Sequence, residues 1–245
     1  SSVVRYQRCH EFKVSVSTKQ RHIARHALLP NLSPWRWVHE VVRALIAEVA
    51  NAHASDLVVF IDTNPAFSIY TEIAVASADY LIVPVNADDA SRMATAAMFT
   101  LIWGAHPPHP IYGQYTFASQ ATLTGLARPV VHLVIGNRLT QHVGPAGAFG
   151  AISDATVNEL FAAYQSGPAR FTVRTVTPTT AATFRDQFSE HLRDFNTAGV
   201  VAAHTGTPLS SLPGGRYSVY GASIQVNGSR VQECRDAVDA IVARL

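Results

Sequence analysis

The chain has 245 residues, of which 48% are hydrophobic and 15% charged; this is a globular composition and excludes a disordered polymer. A formal net charge of +2 does not by itself point to nucleic acid, and no run approaches the roughly 18 apolar residues of a membrane-spanning helix. Cys9 and Cys234 stand alone, without CxxC pairing, so neither a disulfide framework nor a zinc site is indicated, and the charged start SSVVRYQRCHEF lacks the apolar stretch of a secretory signal.

Residues 1–32 are the least regular part, although Phe12, Val14 and Val16 alternate with polar neighbours as in a half-buried strand. Ser33-Pro34 is a helix start, with Ser as N-cap and Pro at the first helical position. Val38, Val41, Val42, Leu45, Ile46 and Val49 then recur at helical spacing to about His53. Leu57–Ile61 is a continuous apolar run, the signature of a strand buried on both faces. The loop DTNPAFS follows it. Ile69–Ala78 reads as a helix, Tyr80–Val85 as a second buried strand and Ala90–Trp103 as a further helix. Strand, loop, helix, strand, helix at this spacing implies parallel strands with crossover helices.

The loop Gly104–Gln114 is rich in Pro and His, and the prolines between His106 and His109 favour a rigid loop over a metal site. Val130–Ile135 is a third buried strand, ending in Gly136-Asn137-Arg138. After the glycine-rich GPAGAFGA, Ile152, Val157, Leu160, Phe161 and Tyr164 mark a helix. Phe171–Val176 is a further strand candidate. Phe184, Phe188, Leu192 and Phe195 fall on one helical face, and Val200–Ala203 is a strand candidate before the turn-like HTGTPLSSLPGG. Val231, Cys234, Val238, Ile241 and Leu245 line a C-terminal helix. The expected architecture is one α/β domain over residues 1–245, with a doubly wound, mostly parallel sheet covered by helices on both faces.

Asp62 stands directly after an apolar run. Such an aspartate either caps a helix or is held at the carboxyl end of a sheet, where open α/β folds bind ligands. In the second case it can position Mg²⁺ while the next loop senses a terminal phosphate.

The stretch VVFIDTNPAFSIYTEIAVASADYLIVPVNADDASRMA resembles the region after the Walker B strand in the ParA/MinD-like ATPases, and in their ParA partition branch in particular. The shared features are Asp62, Thr63, Pro65, Ala78-Asp79, Val83-Pro84-Val85 and Asp88-Asp89. Downstream, VIGNRL is similar to the strand end where that family carries an Asn-Arg pair, and DFNTAGVVAAHTGTPLSSL to its late Gly-x-Pro loop. The resemblance implies ATP and Mg²⁺ as cofactors, with Asp62 as the catalytic, indirectly Mg²⁺-positioning acid. Thr63 and Pro65 would lie on a switch II-like loop, and Asn137, Pro208 and Leu209 beside the adenine. It also implies a homodimer, a ParB-like partner protein, non-specific DNA as a scaffold, no membrane, and a cytoplasmic, nucleoid-associated location serving plasmid or chromosome partition.

One family element is missing. The phosphate-gripping loop, near KGGxGKT, supplies backbone amides and lysines to the phosphates. Here Lys13 and Lys19 are the only lysines, and no glycine precedes Gly104. Removing the strand that feeds this loop, which neighbours the Walker B strand, should leave backbone groups unpaired and an apolar face uncovered. Residues 3–17, a partner, or a segment lost by N-terminal truncation could fill the space, and truncation is the expectation. A non-catalytic ParA-like interaction module is the alternative function. The chain has no GxSxG elbow and no GxGxxG fingerprint, which leaves little support for a small-molecule enzyme.

Overall fold

The computed structural model describes residues 33–53, 57–63, 67–105, 110–139, 147–193 and 195–245. The strand expected at Phe12–Val16 lies outside them, as do Pro65, His106 and His109.

Helix α1 (Pro34–His39) starts as its sequence dictates: Pro34 takes the first helical position and the Arg36 N–H donates to the Ser33 hydroxyl at 3.4 Å. The expected single helix is interrupted at Glu40, and α2 (Val41–Ala52) runs on to a C-cap at His53. Helix α3 (Ile69–Ser77) follows, then strand β1 (Tyr80–Val85) and helix α4 (Asp89–Trp103). Asp88 caps α4 by accepting from the Ser91 N–H at 2.6 Å, and Gly104 closes it with φ of 68°, a left-handed value that glycine adopts at no steric cost. Helix α5 (Phe117–Thr124), capped by Thr116 and ended at Gly125, leads to β2 (Val130–Leu139).

Beyond β2 come α6 (Gly147–Ser166), α7 (Ala181–Phe188) and β3 (Ser189–Arg193), so part of the glycine-rich stretch is already helix. The helix expected through Phe195 stops at Phe188, because the chain turns extended at Ser189. Arg244 secures that ending by donating to the Asp186 carbonyl at 3.2 Å and the Ser189 carbonyl at 3.1 Å. The strand expected at Val200–Ala203 is instead inside α8 (Asn196–Thr205), where Ala198, Val201 and Ala202 pack on one core and tertiary burial overrides β-branching. Phe171–Val176 contributes a single parallel bridge, Phe171 to Val131, rather than a strand. The hairpin β4 (Gly215–Val219) and β5 (Ala222–Val226) turns at Tyr220-Gly221, both with positive φ, and α9 (Gly228–Val242) ends the fold.

The result is an α/β protein with a three-stranded parallel sheet in the order β1-β2-β3. Tyr80 pairs with Val130 and Val134 with Ser189. Phe99, Val131, Val134, Val157, Leu160, Phe171, Phe184 and Phe188 form the core between the sheet and α4, α6 and α7. A second cluster joins α3, α4 and α5, and a third joins α8, the hairpin and α9.

Leu57–Ile61 corrects the sequence reading. It is not a strand: it has no ladder partner among the described residues, and Val58 is 77% and Phe60 68% exposed. A continuous apolar run is buried on both faces when it joins a parallel sheet that helices cover on both sides, and β1, the nearest strand in sequence, bonds only to β2 within the described sheet. Among the described residues no strand pairs with the other edge of β1. Pro84 sits on this strand with no N–H to donate, which an edge position tolerates.

Candidate functional site

Asp62 follows Leu57–Ile61 and is exposed, as is Thr63. Among the described residues it makes no hydrogen bond and no ion pair. The N-cap of α3 is Ser68, which makes no side-chain cap bond. The Asp62 side chain is exposed. Asn137 lies near the end of β2, at the carboxyl end of the sheet as expected. Pro208 is exposed at the entry of the short 3-10 turn Leu209–Ser211, and Leu209 packs its side chain on the α8–hairpin–α9 core. Among the described residues no hydrogen bond or ion pair joins Asp62 and Pro208.

What the sheet does bring together at its carboxyl ends is a small cavity of about 20 Å³. Val85 at the end of β1 and Asn86 just after it, Gly136 on β2, Thr156 on α6, and Ser189 and His191 on β3 contribute to its wall. That volume holds about one water. The Ser189 hydroxyl oxygen is buried without a hydrogen-bond partner, and a single water in this polar corner would satisfy it. The wall contains neither lysine nor arginine, so it offers no phosphate cradle.

His191 is the titratable group of this wall. Burial, then the Arg185 charge, pushes its imidazole below the ordinary histidine value, with Glu190 pulling the other way. The ring is consequently neutral at pH 7, able to donate and to accept. Arg185 is in turn ion-paired to Asp154 of α6 at 2.5 Å. Sequence reading missed His191 because it sits where the Phe184–Phe195 periodicity mimics a continuing helix; the signal for a strand was only the short SEHLR run after Phe188.

Arginines tie the surrounding elements rather than lining a ligand site. Arg92 of α4 pairs with Glu159 of α6. Arg43 of α2 closes the C-terminal end of α3, donating to the Ala76 carbonyl at 3.2 Å, the Ala78 carbonyl at 2.9 Å and the Asp79 carboxylate at 2.9 Å. Arg174 stands over the Phe188 ring at 4.9 Å; burial first, and then Arg244, lowers its pKa from the usual arginine value. Cys234 is a buried core thiol whose pKa is raised by that burial, so it is a packing residue and not a nucleophile. Among the described residues no group of three or more His, Cys, Asp or Glu is placed to hold a metal ion, and no helix is long and apolar enough to cross a membrane.

Comparison with protein-family models, with curated proteins and with solved structures gives no match to this chain.

Proposed function

We propose that this chain is the core of a ParA-like nucleotide-switch ATPase acting in partition or cargo positioning, on a doubly wound sheet completed by one further parallel strand. The observation that carries the reading is the open slot. Leu57–Ile61, the apolar run that leads into Asp62, stands without a ladder partner, and the outer edge of β1 is free in the described sheet. The resemblance puts the strand feeding the phosphate loop next to the Walker B strand. A missing strand there predicts an uncovered apolar run and unpaired backbone.

On this reading the exposed Asp62 carboxylate would position Mg²⁺, indirectly, at the phosphates of ATP. A carboxylate in that role needs accessible oxygens, and among the described residues nothing bonds those of Asp62. Its neighbour Thr63 begins the loop that answers to the terminal phosphate. Asn137 and the Pro208–Leu209 turn border the adenine. Mg²⁺ would supply charge neutralisation across the phosphates; the chain's part is to hold the carboxylate and close the loop.

The sequence favours a second reading for the 245 residues by themselves. With no glycine before Gly104 and lysine only at positions 13 and 19, they lack the cradle of amides and lysines. Alone, the chain is then a ParA-like interaction module that does not hydrolyse ATP.

Titration with labelled ATP and Mg²⁺ separates the possibilities. The chain alone should show no micromolar binding, whereas a form fused to a strand–KGGxGKT–helix segment should bind and gain thermal stability. A fusion that folds but binds no nucleotide would refute the switch reading. Micromolar binding by the chain alone would refute the missing-cradle reading.

A further inference from the structure

We infer that the tip and outer face of the β4–β5 hairpin dock an acidic segment of a partner protein, with Tyr220 as the anchor and Arg216 taking a carboxylate. Tyr220 and Gly221 are the two turn residues, with φ of 48° and 83°, and Val219 pairs with Ala222 across them. Two positive values make this the mirror-image turn that matches strand twist, and its first position favours Asn, Asp or Gly. Tyr220 is, among the described residues, the one non-glycine with positive φ, a conformation that crowds its Cβ against the following carbonyl. The ring gains no burial in return. Tyr220 is 93% exposed and leans on His204 of α8, with centroids 4.9 Å apart. Folding by itself would favour Asn here, so the hairpin holds a strained aromatic that contact with another molecule rewards.

The face behind the tip has the same character. Tyr217, Val219, Ile224 and Val226 turn to the core shared with α8, whereas Arg216, Ser218, Ser223 and Gln225 are exposed. Arg216 stands opposite Gln225, and Ser218 opposite Ser223. Among the described residues Arg216 makes no hydrogen bond and no ion pair. Tyrosine and arginine are the side chains that anchor protein interfaces, while lysine, aspartate and glutamate are depleted there. Residues 207–227 contain none of those three and are rich in serine and glycine, the composition of adaptable binding surfaces.

Charge sets the sign of the partner. From Phe195 to Gln232 the chain has no aspartate or glutamate, and it carries Arg216 and Arg230. The next carboxylates are engaged on α9: Glu233 by Arg230 at 3.1 Å, and Asp236 by the Gln232 amide at 2.8 Å. An acidic partner therefore meets no like charge on the hairpin and finds a free guanidinium at Arg216.

The amount of charge selects the partner's class. A nucleic acid held by its phosphates draws on several cations, about 6–10 contacts in a strongly salt-dependent complex. One unpaired guanidinium suits one carboxylate instead, as a bidentate pair. Arg216 lies four residues from Tyr220, about 13 Å along the strand, a span that an extended segment of about four or five residues covers. The occupant is then a short stretch of another protein, with a bulky apolar side chain for the Tyr220 ring and an Asp or Glu for Arg216. This surface operates whether or not the chain takes nucleotide.

Selection of a random dodecapeptide library on the full chain, followed by affinity measurements with the synthesised winners, tests it. The winners should combine Asp or Glu with Trp, Phe or Leu, and Tyr220→Asn and Arg216→Glu should each weaken their binding about tenfold or more. Tyr220→Asn should also raise the urea midpoint, because Asn accepts the turn; loss of binding is thereby kept distinct from loss of fold. Winners without acidic residues, winners that bind both variants as tightly as the wild type, or no winners at all overturn the inference. So does a single-stranded oligothymidylate that binds through Tyr220 more tightly than the peptides, or self-association of the chain that Tyr220→Asn abolishes. A lowered urea midpoint in Tyr220→Asn would show that the ring serves the fold and would remove the premise.

Discussion

Truncating Val58 and Phe60 to Ala distinguishes an open slot from a filled one. Full burial of a Val or Phe side chain stabilises by about 1.5–3 kcal/mol. Phe60 is 68% exposed and Val58 77% exposed, so only about a third and a quarter of that stabilisation is in place. Phe60→Ala should cost about 0.5–1 kcal/mol and Val58→Ala less than about 0.7 kcal/mol, scaled from full burial. In a strand buried on both faces the Phe substitution alone would cost about 3–5 kcal/mol. Urea denaturation of the 245-residue chain measures the difference as a shift in midpoint at constant slope. A loss above about 2 kcal/mol for Phe60→Ala in this chain would mean that the run is already covered, and the open-slot argument would fall. In the fused form carrying the added strand, the same substitution should cost the larger amount. The contrast between the two forms also bears on solubility, because an uncovered apolar run beside a free strand edge invites pairing between molecules.

Two further outcomes follow from the packing and the charges. Phe184 is fully buried among Phe161, Tyr164, Phe171 and Phe188; Phe184→Ala should cost about 3–5 kcal/mol in chemical denaturation, and a cost below about 1 kcal/mol would contradict the assigned core. His191, with its folded pKa lowered, binds fewer protons folded than unfolded, so its contribution is present above the ordinary histidine range and is lost as pH falls through that range to the lowered value. The residue as a whole is exposed and solvent screens much of the effect. His191→Gln should therefore flatten only a small part of the acid side of the stability curve, and an unchanged curve would show that the ring titrates alike in both states.

Much of the fold is legible in the sequence where local and tertiary signals agree. Ser33-Pro34 starts its helix, the expected strands Tyr80–Val85 and Val130–Ile135 pair in parallel, the second running on to Leu139, and the Val231–Cys234–Ile241 stripe is buried on α9. The failures have distinct causes. An apolar run such as Leu57–Ile61 reports a preference for burial, but burial also requires a neighbour, and that neighbour is not written in the run itself. Phe184 and Phe188 share a helical face, and Leu192 falls at the same spacing by coincidence after the chain has changed to strand at Ser189. The β4–β5 hairpin turns on Tyr220-Gly221, where the expected hairpin pairs are Asn-Gly or Asp-Gly, so the sequence reading assigned it no strands. Of the candidate site, the sequence located Asp62 and Asn137 near ends of apolar runs. It could not show that Leu209 spends its side chain on a core or that His191 faces a cavity, since both depend on contacts far along the chain.

The central claim rests on Asp62 acting through Mg²⁺ rather than through packing. Asp62→Asn keeps the side chain's shape and removes its charge. In the loop-completed form, the rate of Mg²⁺-dependent ATP hydrolysis should fall about 10²–10³-fold, the scale of one lost electrostatic contact in a transition state, while the melting temperature stays the same because the exposed carboxylate has no partner among the described residues. Full hydrolysis in Asp62→Asn, or a lowered melting temperature with activity intact, would contradict the account.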